Sequence, residues 1–345
     1  MKASSSQSVK SASNERGAII IIILLVLAVL SFLAMELSKE TLVDHASSTV
    51  LKSTLSGNAL CDSGNVLAKK ILLADYEYSK ADHKFEDWGK FNEPLEDISE
   101  ELVSGSITGT ITDENGLFPI NKLTSTAAAD ANKTTAYRGI MLRLLTQLCD
   151  DLDIEDAKPE DFLTAIRIWQ GENLPDTFKH DIWYQSRQEP YKSPKKAMVS
   201  PEELLLLYWP NALPGDVERL YYGTKDVKGL RDLVSIWATG PINMNTAPKE
   251  ILWALPTDKT KRYEFLDVVN EYRSNEANSF EDTWYITVAG YVGIPQSNLP
   301  TLTLGVTSNI FRINITATVG GGEKRESTVV KRNSEDLNVL QRFAN

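Results

Sequence analysis

Histidine and cysteine are scarce in this chain, three of one and two of the other in 345 residues. His45, His83 and His180 stand apart, and no H-E-x-x-H, G-x-S-x-G or paired-cysteine spacing occurs. The patterns that hold zinc, or that set a nucleophile beside its base, are missing, so the chain reads as a non-enzyme. Two cysteines make no disulfide framework. Cys61 and Cys149 pair only if the fold brings them together, which geometry decides. Positive charge is also in deficit, with 36 lysines and arginines against 47 acids and a net charge of −11. A body this acidic repels phosphate backbones, which argues against general nucleic-acid binding. Apolar character is not lacking: 42% hydrophobic residues over this length suffice for one large folded unit or two smaller ones.

The apolar residues are concentrated at one place. From Ala18 to Met35 only Ser31 is polar. Eighteen helical residues reach about 27 Å, close to the hydrocarbon thickness of a bilayer. Lys2, Lys10 and Arg16 precede the run, which keeps that end cytoplasmic and puts the bulk of the chain outside. A cleaved secretion signal has a shorter apolar region and a small-x-small site; "SFLAMELSKE" offers none. Helical spacing continues through Val43, Ala46 and Val50, then Leu60, Leu67 and Ile71. Gly57 and Gly64 weaken that half by roughly 1 kcal/mol each relative to alanine.

Beyond the helix the pattern changes three times. Residues 82–104 are polar and read as a loop. "SGSITGTITDENGLFPINKL" (104–123) alternates and turns at Asp113-Glu114-Asn115-Gly116, which predicts a hairpin. From about 125 to 283 the pattern is helical. "KPEDFLTAIRIWQ" opens on proline and acids, and "SPEELLLLYW" has Ser200 at the N-cap with Glu203 at the capping-box position. A further helix begins near Thr246, with Pro248 in its first turn. The tryptophans at 169, 183, 209, 237 and 253 fall in these apolar patterns and read as core. After 283, "TWYITVAGYVGI", "NIFRINITATVG" and "KRESTVVKR" read as strands. The glycines of "VGGGEK" make a hairpin turn rather than a phosphate loop, because a strand follows where a helix is required.

Arg16 and Gly17, followed by "AIIIIILLVLAVL", resemble the class III leader of the type IV pilin and pseudopilin superfamily. The resemblance implies cleavage between Gly17 and Ala18 by a prepilin peptidase, with Arg16, Gly17 and Ala18 as the recognition residues. Family members usually carry glutamate at the fifth mature position; this chain has Ile22. That glutamate neutralises the terminal ammonium of a neighbouring subunit, which would otherwise stay unpaired and buried. A subunit with nothing above it needs none, so Ile22 points to a place at the filament tip. "DENGLFPINKL", "YQSRQEPYKSPKKAMVSPEELLLLYW", "INMNTAPKEILWAL" and "SNIFRINITATV", in that order, resemble the minor pseudopilin K of type II secretion systems.

That resemblance implies an α+β fold: a pilin-like long N-terminal helix packed on a small antiparallel sheet, with a large all-helical domain inserted in the sheet. The expected boundaries are a leader at 1–17, the helix at 18–80 with its transmembrane part at 18–35, the pseudopilin domain at 81–124 and 284–333, the insert at 125–283 and a tail at 334–345. It implies a tip role in initiating and capping the pseudopilus for protein export. Pseudopilins I and J, the prepilin peptidase and the inner membrane are the partners, with the globular part in the periplasm and no nucleic acid bound. No cofactor is implied except calcium, which the family often holds in the helical domain at a "DWxDxD" pattern. Here "IWQGENLPDTFKHD" stands in that place, where Gln170 and Glu172 or Asn173 replace the first aspartates and Glu172, Asp176 and Asp181 remain as oxygen ligands. The acidic run from Asp151 lacks the EF-hand glycine, with Asp156 at position six, and reads as a solvated linker. Two other readings are a type IV pilus minor pilin and an extracellular helix-hairpin-helix DNA receptor. "INMNTAPKEILWALP" resembles the start of such a module, but "LPTDKTKRYEF" lacks the hairpin glycines that would grip phosphate.

Overall fold

The computed structural model describes residues 9–102, 105–124, 128–333 and 336–344, with no side-chain description for 9–16, 78 and 128. Helix α1 (Val9–Tyr78) runs unbroken for 70 residues, about 105 Å at the usual rise. Its two halves differ in surroundings. Residues from Gly17 to Lys52 are exposed, whereas Gly57, Cys61, Gly64, Asn65, Ala68 and Leu72 form a buried stripe at helical spacing. Gly64 is what lets this stripe lie close on the sheet. A Cβ on Gly64 would come within 2.8 Å of Ile315 Cδ1 and 3.1 Å of Ile107 Cδ1, and one on Gly57 would touch Lys324 at 3.4 Å. The propensity lost at Gly64 is offset by close approach of helix to strand.

The segment after α1 is not all loop. It contains α2 (Asn92–Glu101), of which Leu95 is the buried residue. With Phe91 it packs on Gly109, in β1 (Ser106–Asp113); an added Cβ there would lie 2.8 Å from both side chains. The predicted hairpin at 104–123 does not form. β1 ends in a short 3-10 turn at Glu114–Gly116 and pairs instead with a strand far along the chain, β6 (Ile310–Val319). The register runs antiparallel from Ser106 opposite Thr318 to Asp113 opposite Phe311. β7 (Gly322–Arg332) folds back on β6 through Gly320 and Gly321, both at positive φ. The expected C-terminal tail is a fourth strand, β8 (Leu337–Ala344), paired with β7. The sheet order is β1-β6-β7-β8, and α1 crosses one face of it.

The insert lies between β1 and β6. Its helices are α3 (Ala131–Asp151), α4 (Pro159–Trp169), α5 (Thr177–Gln185), α6 (Asp216–Tyr222), α7 (Lys249–Ala254), α8 (Arg262–Ser274) and α9 (Trp284–Tyr291). The "SPEELLLL" segment is 3-10 helix at Pro201–Leu206, with its capping box formed. α9 stands where a strand was predicted: its aromatic and β-branched residues suit either state, and Trp284, Tyr285, Val288 and Ala289 recur at helical spacing in the insert core. The insert is also not purely helical. β2 (Phe118–Pro119) pairs in parallel with β3 (Val234–Ser235), and β4 (Ile242–Asn243) with β5 (Leu304–Gly305). Its core runs from Phe118 to Leu304, wider than the expected 125–283. The core between helix and sheet is separate and includes Cys61, Leu72, Trp88, Phe311 and Ile313. Cys61 lies in that core and Cys149 in the insert core, and both are free thiols.

Candidate functional site

The features that define this chain are placed along one axis. α1 passes the β6–β7 turn at Ser53, which lies against Gly320, then reaches Ile315 at Gly64, and ends where Arg332 Nη1 meets the Leu72 carbonyl. The insert leaves the sheet at this last end, since β1 finishes and β6 begins there. The apolar run and the helical insert therefore occupy opposite ends of the molecule. Within α1 an 18-residue window has a mean hydropathy of 3.3 and no buried residue. A surface this apolar is suited to lipid or to other helices, not to water. Ile22 sits on this uncovered segment at 60% exposure. Gly17 and Ala18 are exposed helical residues, a Cβ added at Gly17 would meet open space, and the side chain of Arg16 lies outside the described residues.

A buried polar junction fixes the insert to the end of the helix and sheet. Arg332 donates to Asp75 Oδ2 at 2.7 Å, to Asp82 and to the Ser308 carbonyl at 2.9 Å. Asp113, at the end of β1, accepts from Ser308 Oγ at 2.6 Å, Thr246 Oγ1 at 2.5 Å, Asn243 Nδ2 at 2.9 Å and the Asn115 amide at 2.7 Å. Asn245 Nδ2 donates to the carbonyls of Asp82 and Phe280, and its Oδ1 accepts from Trp284 Nε1 at 2.8 Å. The two asparagines of "INMN" thus join three segments. Burial pushes Asp82 up to about 7 against the pull of Arg332. It raises Asp113 as well, against four donors, and lifts Asp75 to about 6, helped by the Glu86 charge. Sequence reasoning missed this junction, because its members have no common spacing; Asp113 and Ser308 are 195 positions apart.

The three candidate calcium ligands do not converge. Glu172 is held by Arg167 at 2.6 Å and Arg138 at 2.8 Å; the Arg167 hydrogen bond keeps its carboxyl below the usual range. Asp176 pairs with Lys179 at 2.7 Å, and Asp181 with Lys195 at 2.9 Å. Each carboxylate has its own cation, and no shared oxygen cluster forms among them. The helix-hairpin-helix reading fares no better. α7 and α8 are joined by a 3-10 turn at Lys259–Lys261, but Lys261 is tied to Glu264 at 2.7 Å. The side chains of Arg143 and Arg262 satisfy the carbonyls of Ala254, Leu255 and Pro256 there.

A long helix with one uncovered apolar half, laid on an antiparallel sheet, is a pilin-like fold. The crystal structure of the GspK-GspI-GspJ complex from the enterotoxigenic Escherichia coli type 2 secretion system contains a chain with this fold. The likeness has a TM-score of 0.62 at 16% identity, over 86% of this chain and 98% of that one. No curated protein sequence matches. Residues 116–213 match the family described as type II secretion system (T2SS), protein K. Residues 116–213 of this chain thus resemble the first domain of that family, on a chain of pilin-like fold.

Proposed function

We propose that this chain is a minor pseudopilin of the protein K kind and acts at the tip of a type II secretion pseudopilus, where it helps initiate and cap the filament. The observation that carries the reading is the position of the insert. It lies beyond the end of α1 opposite the apolar run, where a further subunit would have to stack. Ile22 agrees by an independent route: in a tip subunit no ammonium from above needs a carboxylate. The resembling chain comes from a complex with GspI and GspJ, which supports subunits of those two kinds as partners of this chain. The apolar half of α1 spans the inner membrane with the sheet and insert in the periplasm, an orientation supported by Lys2, Lys10 and Arg16. Cleavage between Gly17 and Ala18 by the prepilin peptidase gives the mature chain. Arg16 and Gly17 lie in the recognition segment, and Ala18 becomes the new terminus.

Two measurements test this. Mass and N-terminal sequence of the membrane-extracted chain should show Ala18 as first residue only when the peptidase is present; an intact leader in both samples would sink the reading. Co-expression with the I and J subunits should yield a ternary complex that survives detergent extraction. Recovery of the chain alone would refute the tip role while leaving the pilin fold in place.

A further inference from the structure

The polar junction contains a charge imbalance that its protein partners do not resolve. Asp75, Asp82 and Glu86 offer carboxylate oxygens that lie within 4.8 Å of one another. Their side chains are only 8%, 4% and 9% exposed. One guanidinium, Arg332, faces them and reaches Asp75 and Asp82 but makes no ion pair with Glu86. Glu86 Oε2 accepts from Trp88 Nε1 and from the His83 amide, both at 2.8 Å. Its Oε1 is buried and has no hydrogen-bond partner among the described residues; the ring Nε2 of His83 is 4.0 Å away, beyond hydrogen-bond reach. When all three carboxylates are ionised, one arginine leaves the group with two negative charges in a site with little water. Desolvated charge of that size is costly unless it takes up protons or meets a counter-charge.

We propose that Asp75, Asp82 and Glu86 bind a divalent cation, calcium, at the point where α1, the 79–91 segment and the insert meet. A doubly charged ion brings the group to neutrality and gives Glu86 Oε1 the partner it lacks. The ligand atoms are all oxygens, which selects the hard cations. Calcium accepts irregular coordination and completes its 6–8 oxygens with backbone carbonyls or water, whereas magnesium demands a near-octahedral shell. The ion would tie the end of α1 to Asp82, and through the Ser308 amide, 2.6 Å from Asp82 Oδ2, to the start of β6. This place is distinct from the segment around Glu172, whose carboxylate two arginines already hold.

The test is calorimetric titration of the full chain in detergent, stripped with a chelator, using calcium chloride on wild type, Glu86→Gln and Glu172→Gln. Glutamine still accepts from Trp88 and the His83 amide, so the fold should persist. One calcium should bind to wild type and to Glu172→Gln, and Glu86→Gln should bind at least roughly tenfold more weakly. Saturating calcium should also raise the melting temperature of wild type by roughly 3–5 °C. A second readout does not depend on the carboxylate variants. Terbium on this site should luminesce through Trp88, which is bonded to Glu86, and the signal should fall in Trp88→Phe. No calcium uptake by wild type, uptake indifferent to Glu86→Gln, terbium emission indifferent to Trp88, or a response to zinc alone would each overturn the proposal.

Discussion

At the scale of single residues, the two glycines of α1 make opposite predictions. Alanine at 57 meets only an ordinary contact with Lys324, so Gly57→Ala should gain part of the roughly 1 kcal/mol helix propensity. Gly64→Val should lose about 1–3 kcal/mol, because its branches enter the space held by Ile315 and Ile107. Chemical denaturation midpoints of the two variants check both signs. Asp113 gives a third case. All four of its partners are donors, so an acceptor-only carboxylate fits and an amide does not. Asp113→Asn turns one donor toward donors and should cost about 1–3 kcal/mol, although it is nearly isosteric. His180 sets a pH dependence. It is buried against Tyr184 and Tyr208, and burial lowers its pKa despite the charges of Asp176, Asp181 and Asp161; Lys195 lowers it further. The folded value lies below the unfolded one near 6.5. Between the two the denatured chain binds more protons, so this contribution to stability is lost as pH falls through about 6.5. His180→Gln should flatten that acid-side loss in denaturation midpoints measured at pH 7.5 and 5; an unchanged slope would rule His180 out as its source.

At the scale of elements, β8 is the most exposed strand, and beyond its pairing with β7 one side chain ties it to α1. Arg342 reaches both Asp62 on α1 and Glu326 on β7. Glu326 is buried, and of its other partners Asn65 comes from α1. Arg342→Ala should therefore destabilise the chain more than Arg325→Ala, whose partner Glu323 is exposed; thermal denaturation of both variants ranks them. The elements also show what was legible in the sequence. β6 and β7 alternate over most of their length and are joined by glycines, so period and turn together found them. α4 announced itself by Pro159 and its acidic first turn. α2 was missed because one leucine faces its core, too little to print a period. α9 was misread because Trp284, Tyr285, Ile286 and Val288 favour strand in isolation, and only packing in the insert core selects helix. β8 was misread because its side chains are mostly exposed and carry no alternation. The "DENG" turn was rightly seen as a turn and wrongly given a local partner; the strand that pairs with β1 comes after the whole insert. The apolar run was legible from composition alone. The junction was not, because it is made by the fold.

At the scale of the molecule, two apolar cores meet at one polar junction. Leu144 is fully buried in the insert core and Ile313 in the core under α1. Leu144→Ala should cost about 2–5 kcal/mol, and hydrogen exchange should show the loss chiefly in the insert while β6 and β7 keep their protection. Ile313→Ala should give the reverse pattern. A uniform loss in both variants would mean that the junction couples the cores into one cooperative unit. The break in the sheet also sets an order of events for the newly made chain. During synthesis, β1 has no mate until the segment containing β6 has been made. Until then its edge is open to wrong pairings. Closing so long a loop from a disordered chain is slow. Folding of the insert draws Asp113 and Ser308 to within one hydrogen bond of each other, so the insert acts as the clamp that brings the sheet together. Its helices form one end of the finished protein, and before that they shorten the search by which the first strand finds its neighbour.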